Sequence, residues 1–353
     1  MKFSVFIKEL CTINKSQDNP VRLIGAGICM AIPLIIGYLL NNLTIGSFGS
    51  LGIFTLLYYQ PLPLPQLLRR LSIVGCSLLL GTVAGMFSSH VLWLIPFTIS
   101  SLAFCARILF RLYEIAKPGA FFIIMVSAMG ASTNIPLAKI PIMASFVLLG
   151  VLTSLVIAAG ISFFEPAQQV SVRKKMSLQE RLYVDPAALL DALHYAAILF
   201  LATYISQALH LTNAYWMIVS CAAVLQGDNL RAIMHRNIQR IFGTMIGLLL
   251  SAFLLNIPFS PLQTIFLICL LYVTVEFFVK RNYGIANFFT TPMALLLSNL
   301  ARHQYIISLL NYRLIGIVLG SLLGLLGAYV LTTCLKFYNR AYQLNENLDN
   351  EVD

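Results

Sequence analysis

Long apolar runs constrain this chain more than any other feature. Stretches almost free of charge recur at 22–41, 45–60, 71–89, 91–110, 118–133 and 140–163, and again at 188–209, 213–226, 237–255, 261–279, 284–300 and 312–335. About 20 apolar residues in helical form match the ~30 Å hydrocarbon core of a bilayer, where a helix satisfies its own backbone hydrogen bonds. With 59% of residues apolar, 10% charged and a mean hydropathy of +0.85, there are too few polar side chains to cover a water-soluble globule. The expected fold is an all-α polytopic membrane protein with about twelve transmembrane helices, and the lipid bilayer is its first partner.

The 23 Lys and Arg outnumber the 13 Asp and Glu, giving +10. In a polytopic chain such an excess reads as topology and not as nucleic-acid binding. If the N-terminus is cytoplasmic, every basic residue except Lys139, Arg302 and Arg313 falls on the inner side of these runs. That asymmetry points to a multi-pass protein of a bacterial cytoplasmic (inner) membrane with both termini inside. The first run, Leu23 to Leu40, is followed by no small-residue cleavage site and is expected to stay in the mature chain. None of the seven cysteines sits in an expected outer loop, and no Cys-x-x-Cys spacing occurs, so neither a disulfide framework nor a metal site is expected. No cofactor motif and no Walker-type phosphate loop is present, and the five histidines are scattered, so neither an enzyme nor an ATP-driven machine is expected.

The runs divide into halves. Residues 1–164 form a first six-helix membrane repeat, 165–186 a cytoplasmic linker, 187–336 a second six-helix repeat and 337–353 a polar cytoplasmic tail. Gly81-Thr82-Val83-Ala84-Gly85 recurs as Gly243-Thr244-Met245-Ile246-Gly247, Gln60-Pro61 as Gln226-Gly227, and Phe121-Phe122 as Phe288-Phe289. An even number of spans per half means that both copies insert in the same direction, as in transporters built from parallel repeats.

The stretch Tyr215-Trp216-Met217-Ile218-Val219-Ser220 through Gln226, then Arg231, Arg236, Arg240 and Gly243-Thr244-Met245-Ile246-Gly247, resembles the fusaric acid resistance and aromatic acid exporter family, and the first half carries a weaker copy. The resemblance implies export of aromatic or other hydrophobic organic acids driven by an ion gradient. Larger members of that family resemble two membrane modules separated by a substantial cytoplasmic domain, whereas here residues 165–186 alone join the halves.

Short or Pro-broken segments at matching positions in two repeats mark a transporter's binding site, because unwound backbone needs a cavity or a ligand to satisfy it. The second, fifth, eighth and eleventh runs are the short ones, which places a substrate pathway at Gln60, Tyr215, Trp216, Gln226, Asn287, Thr290 and Thr291, the last pair beside Pro292. Tyr215 and Trp216 fit an interfacial aromatic belt equally well. Glu276, deep in an apolar run, suits proton coupling, or a structural pair with Lys280 at i+4. Asp191 and His194, at i and i+3, form either a proton relay or an interfacial cap. Asp228, Arg231, Arg236 and Arg240 are expected in a cytoplasmic loop, where they attract an acid or set topology. The glycine pairs, with Gly316, Gly320 and Gly324, are expected to pack helices and touch no substrate. The function expected is a proton-coupled secondary exporter of hydrophobic or aromatic carboxylic acids. The alternatives are a passive organic-anion channel and a membrane protein with a structural or assembly role. The expected partners are a small organic anion and, optionally, a second copy or an accessory membrane protein.

Overall fold

The computed structural model describes residues 12–15, 19–115, 118–167, 176–227, 229–301 and 306–352, leaving aside the side chains of 301, 338, 339 and 341–352. Thirteen α-helices and no strand occur among these residues. In the first half they are α1 (Pro20–Leu39), α2 (Leu43–Gly52, continued as a 3-10 segment Ile53–Tyr58), α3 (Leu64–Ser88), α4 (Leu94–Leu112), α5 (Phe121–Ala131) and α6 (Ile140–Phe164). A short α7 (Leu178–Val184) lies in the linker. The second half holds α8 (Ala187–Ala208), α9 (Tyr215–Val224), α10 (Leu230–Leu255), α11 (Pro261–Val279), α12 (Tyr283–Ala301) and α13 (Ile306–Val352). Local chemistry fixes several starts. Asn19 and Asn42 accept from the backbone N–H of Val21 and Thr44, and Ser260 with Gln263 forms a capping box at Pro261, whose missing N–H costs nothing at that position.

Every one of the twelve apolar runs contains a helix, but among the described residues only eight helices are long and apolar enough to cross a membrane. The chain is thus a multi-pass membrane protein with eight such spans. The four runs that fall short are the second, fifth, eighth and eleventh. Helices α2, α5 and α9 have 10, 11 and 10 residues, about 15 Å of rise and half the ~30 Å core. Helix α12 has 19 residues and carries Pro292 inside it. Hydropathy could not separate these segments from full spans, because a helix buried in protein is as apolar as one facing lipid: all ten residues of α9 are buried. The long helices instead expose large apolar side chains such as Leu249, Phe253 and Phe266 outward. Helix α13 runs on unbroken through the polar stretch after 337.

Glycines allow the short helices to nest against the long ones. A Cβ at Gly52 or Gly150 would stand about 2 Å from backbone oxygens of Val147 and Gly49, which locks α2 to α6. Gly316, Gly320 and Gly324 bring α13 close to Trp216, Met217 and Cys221 of α9, with Cβ approaches of 2.8, 2.1 and 3.1 Å. Gly81 and Gly85 seat α3 on Ile123 and Ser127 of α5, as Gly243 and Gly247 seat α10 on Gly284 and Phe288 of α12. Such close approach is how helices gain packing energy where lipid removes the hydrophobic incentive. Between the halves the packing is reciprocal. The first helix of each half lies on the fourth of the other (α1 on α11, α8 on α4), and the short helices meet crosswise (α2 with α12, α5 with α9). One hydrophobic core runs through both halves, from Ala26 to Ala328.

Candidate functional site

Where the short helices stop, the long ones enclose a cavity of ≈ 550 Å³. One wall is apolar and comes largely from the first half: Phe48 and Leu51 of α2, Phe54 of the 3-10 segment, and Phe121, Phe122 and Met125 of α5. Phe54 and Phe122 stack at 4.8 Å between ring centroids, and Phe121 meets Phe122 edge-on at 4.9 Å. The other wall is cationic and polar. Arg236 and Arg240 come from α10, Asn287 from α12, Arg313 from α13, and Arg22 and Lys280 lie at the same lining; among the described residues Glu276 is the only acid in it.

Arg240 is 7% exposed and Arg313 3%. Arg240 Nε donates to Ser220 Oγ at 2.9 Å, and its Nη1 donates to Tyr283 OH at 2.9 Å and to Asn287 Oδ1 at 3.5 Å. Ser220 Oγ is itself held by Ile317 O at 2.9 Å and Ser321 Oγ at 2.7 Å, so α9, α10, α12 and α13 all contribute to fixing this guanidinium. All three acceptors are neutral, and they orient the charge without cancelling it. Arg313 lies over the Trp216 ring at 3.9 Å, and its Nε and Nη1 have no hydrogen-bond partner among the described residues. Trp216 Nε1, Arg236 Nε, Ser47 Oγ and Tyr272 OH are likewise without one, and all four residues line the same space. An uncompensated cation at such depth costs several kcal/mol unless something neutralises it. The described salt bridges join other residues: Arg107 with Asp191, and Arg111 with Asp185 and Asp191. Chemically, the cavity offers hydrogen-bond donors and positive charge facing an aromatic surface.

Six of the residues expected in the pathway or in proton coupling lie at this cavity: Tyr215, Trp216, Gln226, Glu276, Asn287 and Thr290. Gln226 places its Nε2 3.5 Å from Tyr195 OH. Four others of that expectation, Gln60, Thr291, Asp191 and His194, are placed elsewhere. Gln60 accepts from Arg70 Nη1 at 2.7 Å, and Thr291 is buried against Gly247 with its hydroxyl bonded to Asn287 O at 2.9 Å. Asp191 accepts from Arg107 Nε at 2.8 Å and Nη2 at 3.2 Å, while His194 Nε2 lies 3.0 Å from Gly327 O. These two share a helix face but have different partners, so the relay geometry is not formed; Asp191 instead clamps α8 to α4 of the other half.

The expected basic loop also needs correction. Arg231, Arg236 and Arg240 sit on α10, which begins at Leu230, seven residues before the apolar run suggested. Arg231 is exposed near that start, and Asp228 lies outside the described residues. The spacing Arg236, Arg240, Gly243, Gly247 is one helical face, so the rows that pack α10 also aim its arginines inward. Arg313 was missed because the positive-inside tally assigned it to the outer end of a span. The signal available was a cation inside an apolar run, which is a functional marker by default.

Fold and cavity define a multi-pass, all-helical membrane protein with a two-faced internal site. Residues 201–327, which carry Arg240, Asn287 and Arg313, match the family model described as fusaric acid resistance protein-like. The chain is 33% identical over 149 residues to the uncharacterized membrane protein YvaC of Bacillus subtilis, a stretch of 40% of this chain and 23% of that protein. It is 27% identical over 151 residues to the uncharacterized protein YhfK of Escherichia coli, 42% of this chain and 21% of that one. The matched segment thus spans less than a quarter of either curated relative. No solved structure matches the chain.

Proposed function

We propose that the chain is a secondary transporter of a bacterial cytoplasmic membrane that exports hydrophobic or aromatic carboxylic acids, with both termini in the cytoplasm and net movement coupled to protons through Glu276. The observation that carries this reading is the two-faced cavity. Arg240 and Arg313 offer a carboxylate two guanidinium groups in a low-dielectric setting, where charge-assisted bonds are strongest, and Phe54, Phe121 and Phe122 offer an apolar surface to its ring. The volume of ≈ 550 Å³ lies within the ~300–1,000 Å³ of small-molecule sites. The reciprocal packing of the halves and the shared glycine contacts support two parallel six-helix repeats, and the short helices, sheltered by the long ones, are then the elements that line the path. The matched family's description refers to resistance to an organic acid.

Efflux of benzoate, cinnamate and naphthoate from cells with and without the gene tests the reading. Cells carrying the gene should lower their internal level of at least one acid, and cells carrying Arg313→Gln should not. Equal accumulation of all three would refute it. A reporter active only in the periplasm, inserted within 165–186, should be silent; activity there would invert the topology.

A further inference from the structure

We infer that this carrier is an anion exchanger: its site crosses the membrane loaded far more readily than empty, so an outgoing acid anion leaves in return for another anion coming in. The inference rests on the transport reading and adds a kinetic rule to it. Arg240 and Arg313 are buried on adjoining helices, and the described groups that touch them are a serine, an asparagine and two aromatic side chains, none of them anionic. When the site faces either side, cavity water can solvate the two guanidinium groups. During the crossing, water must be squeezed out for the path to close, and two like charges then stand together in a medium of low dielectric. A bound carboxylate removes that penalty by taking donors that the protein leaves open, namely Arg313 Nε and Nη1 and Trp216 Nε1. The loaded crossing is therefore favoured over the empty one.

The geometry supplies its own probe. The chain contains two tryptophans; Trp93 is exposed and Trp216 is stacked under Arg313. In a Trp93→Phe protein, fluorescence of Trp216 reports binding of benzoate, cinnamate or naphthoate, and the acid bound most tightly is used in the flux assay. Proteoliposomes of the wild type at pH 8 are loaded with that unlabelled acid or with gluconate, and uptake of the labelled acid is followed, with protein-free vesicles subtracting leak. Loading with the acid should speed uptake at least tenfold, a difference of about 1.4 kcal/mol between loaded and empty return. Uptake that is fast but indifferent to the internal acid overturns the exchange rule and leaves transport standing, in the form of a channel. If none of the three acids alters Trp216 or crosses the membrane, exchange and organic-acid transport fall together.

Discussion

Replacing Gly320 with alanine should loosen the cavity from a distance. Gly320 does not line it, yet a Cβ there would stand 2.1 Å from Met217 O, with Met217 C and Ser220 Cβ at 2.9 Å. An ordinary carbon-to-carbonyl-oxygen contact is about 3.3 Å, so α13 and α9 must part by roughly 1 Å. Neither backbone can rotate out of the way as a side chain would. Overpacking of this kind costs about 1–3 kcal/mol, and two opposed backbones put it near the upper end. Alanine recovers about 1 kcal/mol of helix propensity over glycine, leaving a net loss of about 2 kcal/mol. Gly160, on α6, is the control, since a Cβ there meets nothing within 4 Å. Gly160→Ala should keep the propensity gain and stabilise by up to ~1 kcal/mol. The same chemical change thus acts with opposite sign at two positions. Thermal denaturation of the purified proteins in one detergent reads the sign, and Trp216 fluorescence reads whether α9 has moved, because Trp216 and Ser220 travel with it. A Gly320→Ala protein melting at or above the wild type, with an unaltered acid response, would refute the account of glycine packing.

Three further outcomes follow from the same geometry. Asp191→Asn should lower stability by about 1–3 kcal/mol, because Arg107 keeps its charge and loses a charge-assisted partner; acid binding at Trp216 should stay unchanged, whereas a proton relay at Asp191 would require transport to lose its proton dependence. Glu276→Gln should abolish net efflux driven by a proton gradient and leave acid-for-acid exchange intact; loss of both with normal thermal stability would place Glu276 in binding. Arg240→Lys should weaken acid binding at least tenfold despite the conserved charge, since one ammonium cannot reproduce the fork that reaches Ser220, Tyr283 and Asn287 together; wild-type affinity in that variant would show that charge alone suffices.

Much of the architecture was legible because hydropathy and glycine spacing are local signals. The twelve runs all hold helices, and the paired glycines at 81 and 85 and at 243 and 247 sit on the helix contacts expected of them. What was illegible depends on what covers a helix. Residues 213–226 read as a span because they are apolar, but their neighbours are protein and their helix is half a span long. Charge was misread for a related reason. Counting arginines by side of the membrane treats Arg240 and Arg313 as the same kind of residue as Arg69 or Arg281, although they are nearly inaccessible inside the bundle. An arginine in line with a packing face, three and seven residues from the glycines that make the contact, is a buried arginine.

The donors of the cationic wall also have apolar counterparts at the matching positions of the first half. Three residues before Gly243 stands Arg240, and three before Gly81 stands Leu78, fully buried on the equivalent turn of α3. Seven before Gly320 stands Arg313, and seven before Gly150 stands Met143. Next to Phe288 stands Asn287, and next to Phe121 stands Ala120. At each matched register the second half carries the donor and the first half an apolar side chain, while the glycines that set the helix separations are kept in both. The scaffold tolerates this because the close contacts that hold it are made by backbone against backbone, leaving the side chains one turn away free to differ. A pair of identical cationic walls would draw small inorganic anions and strongly repel itself when empty. One cationic wall opposite one aromatic wall instead selects molecules that have a charged end and an apolar end, and it fixes which end faces which half.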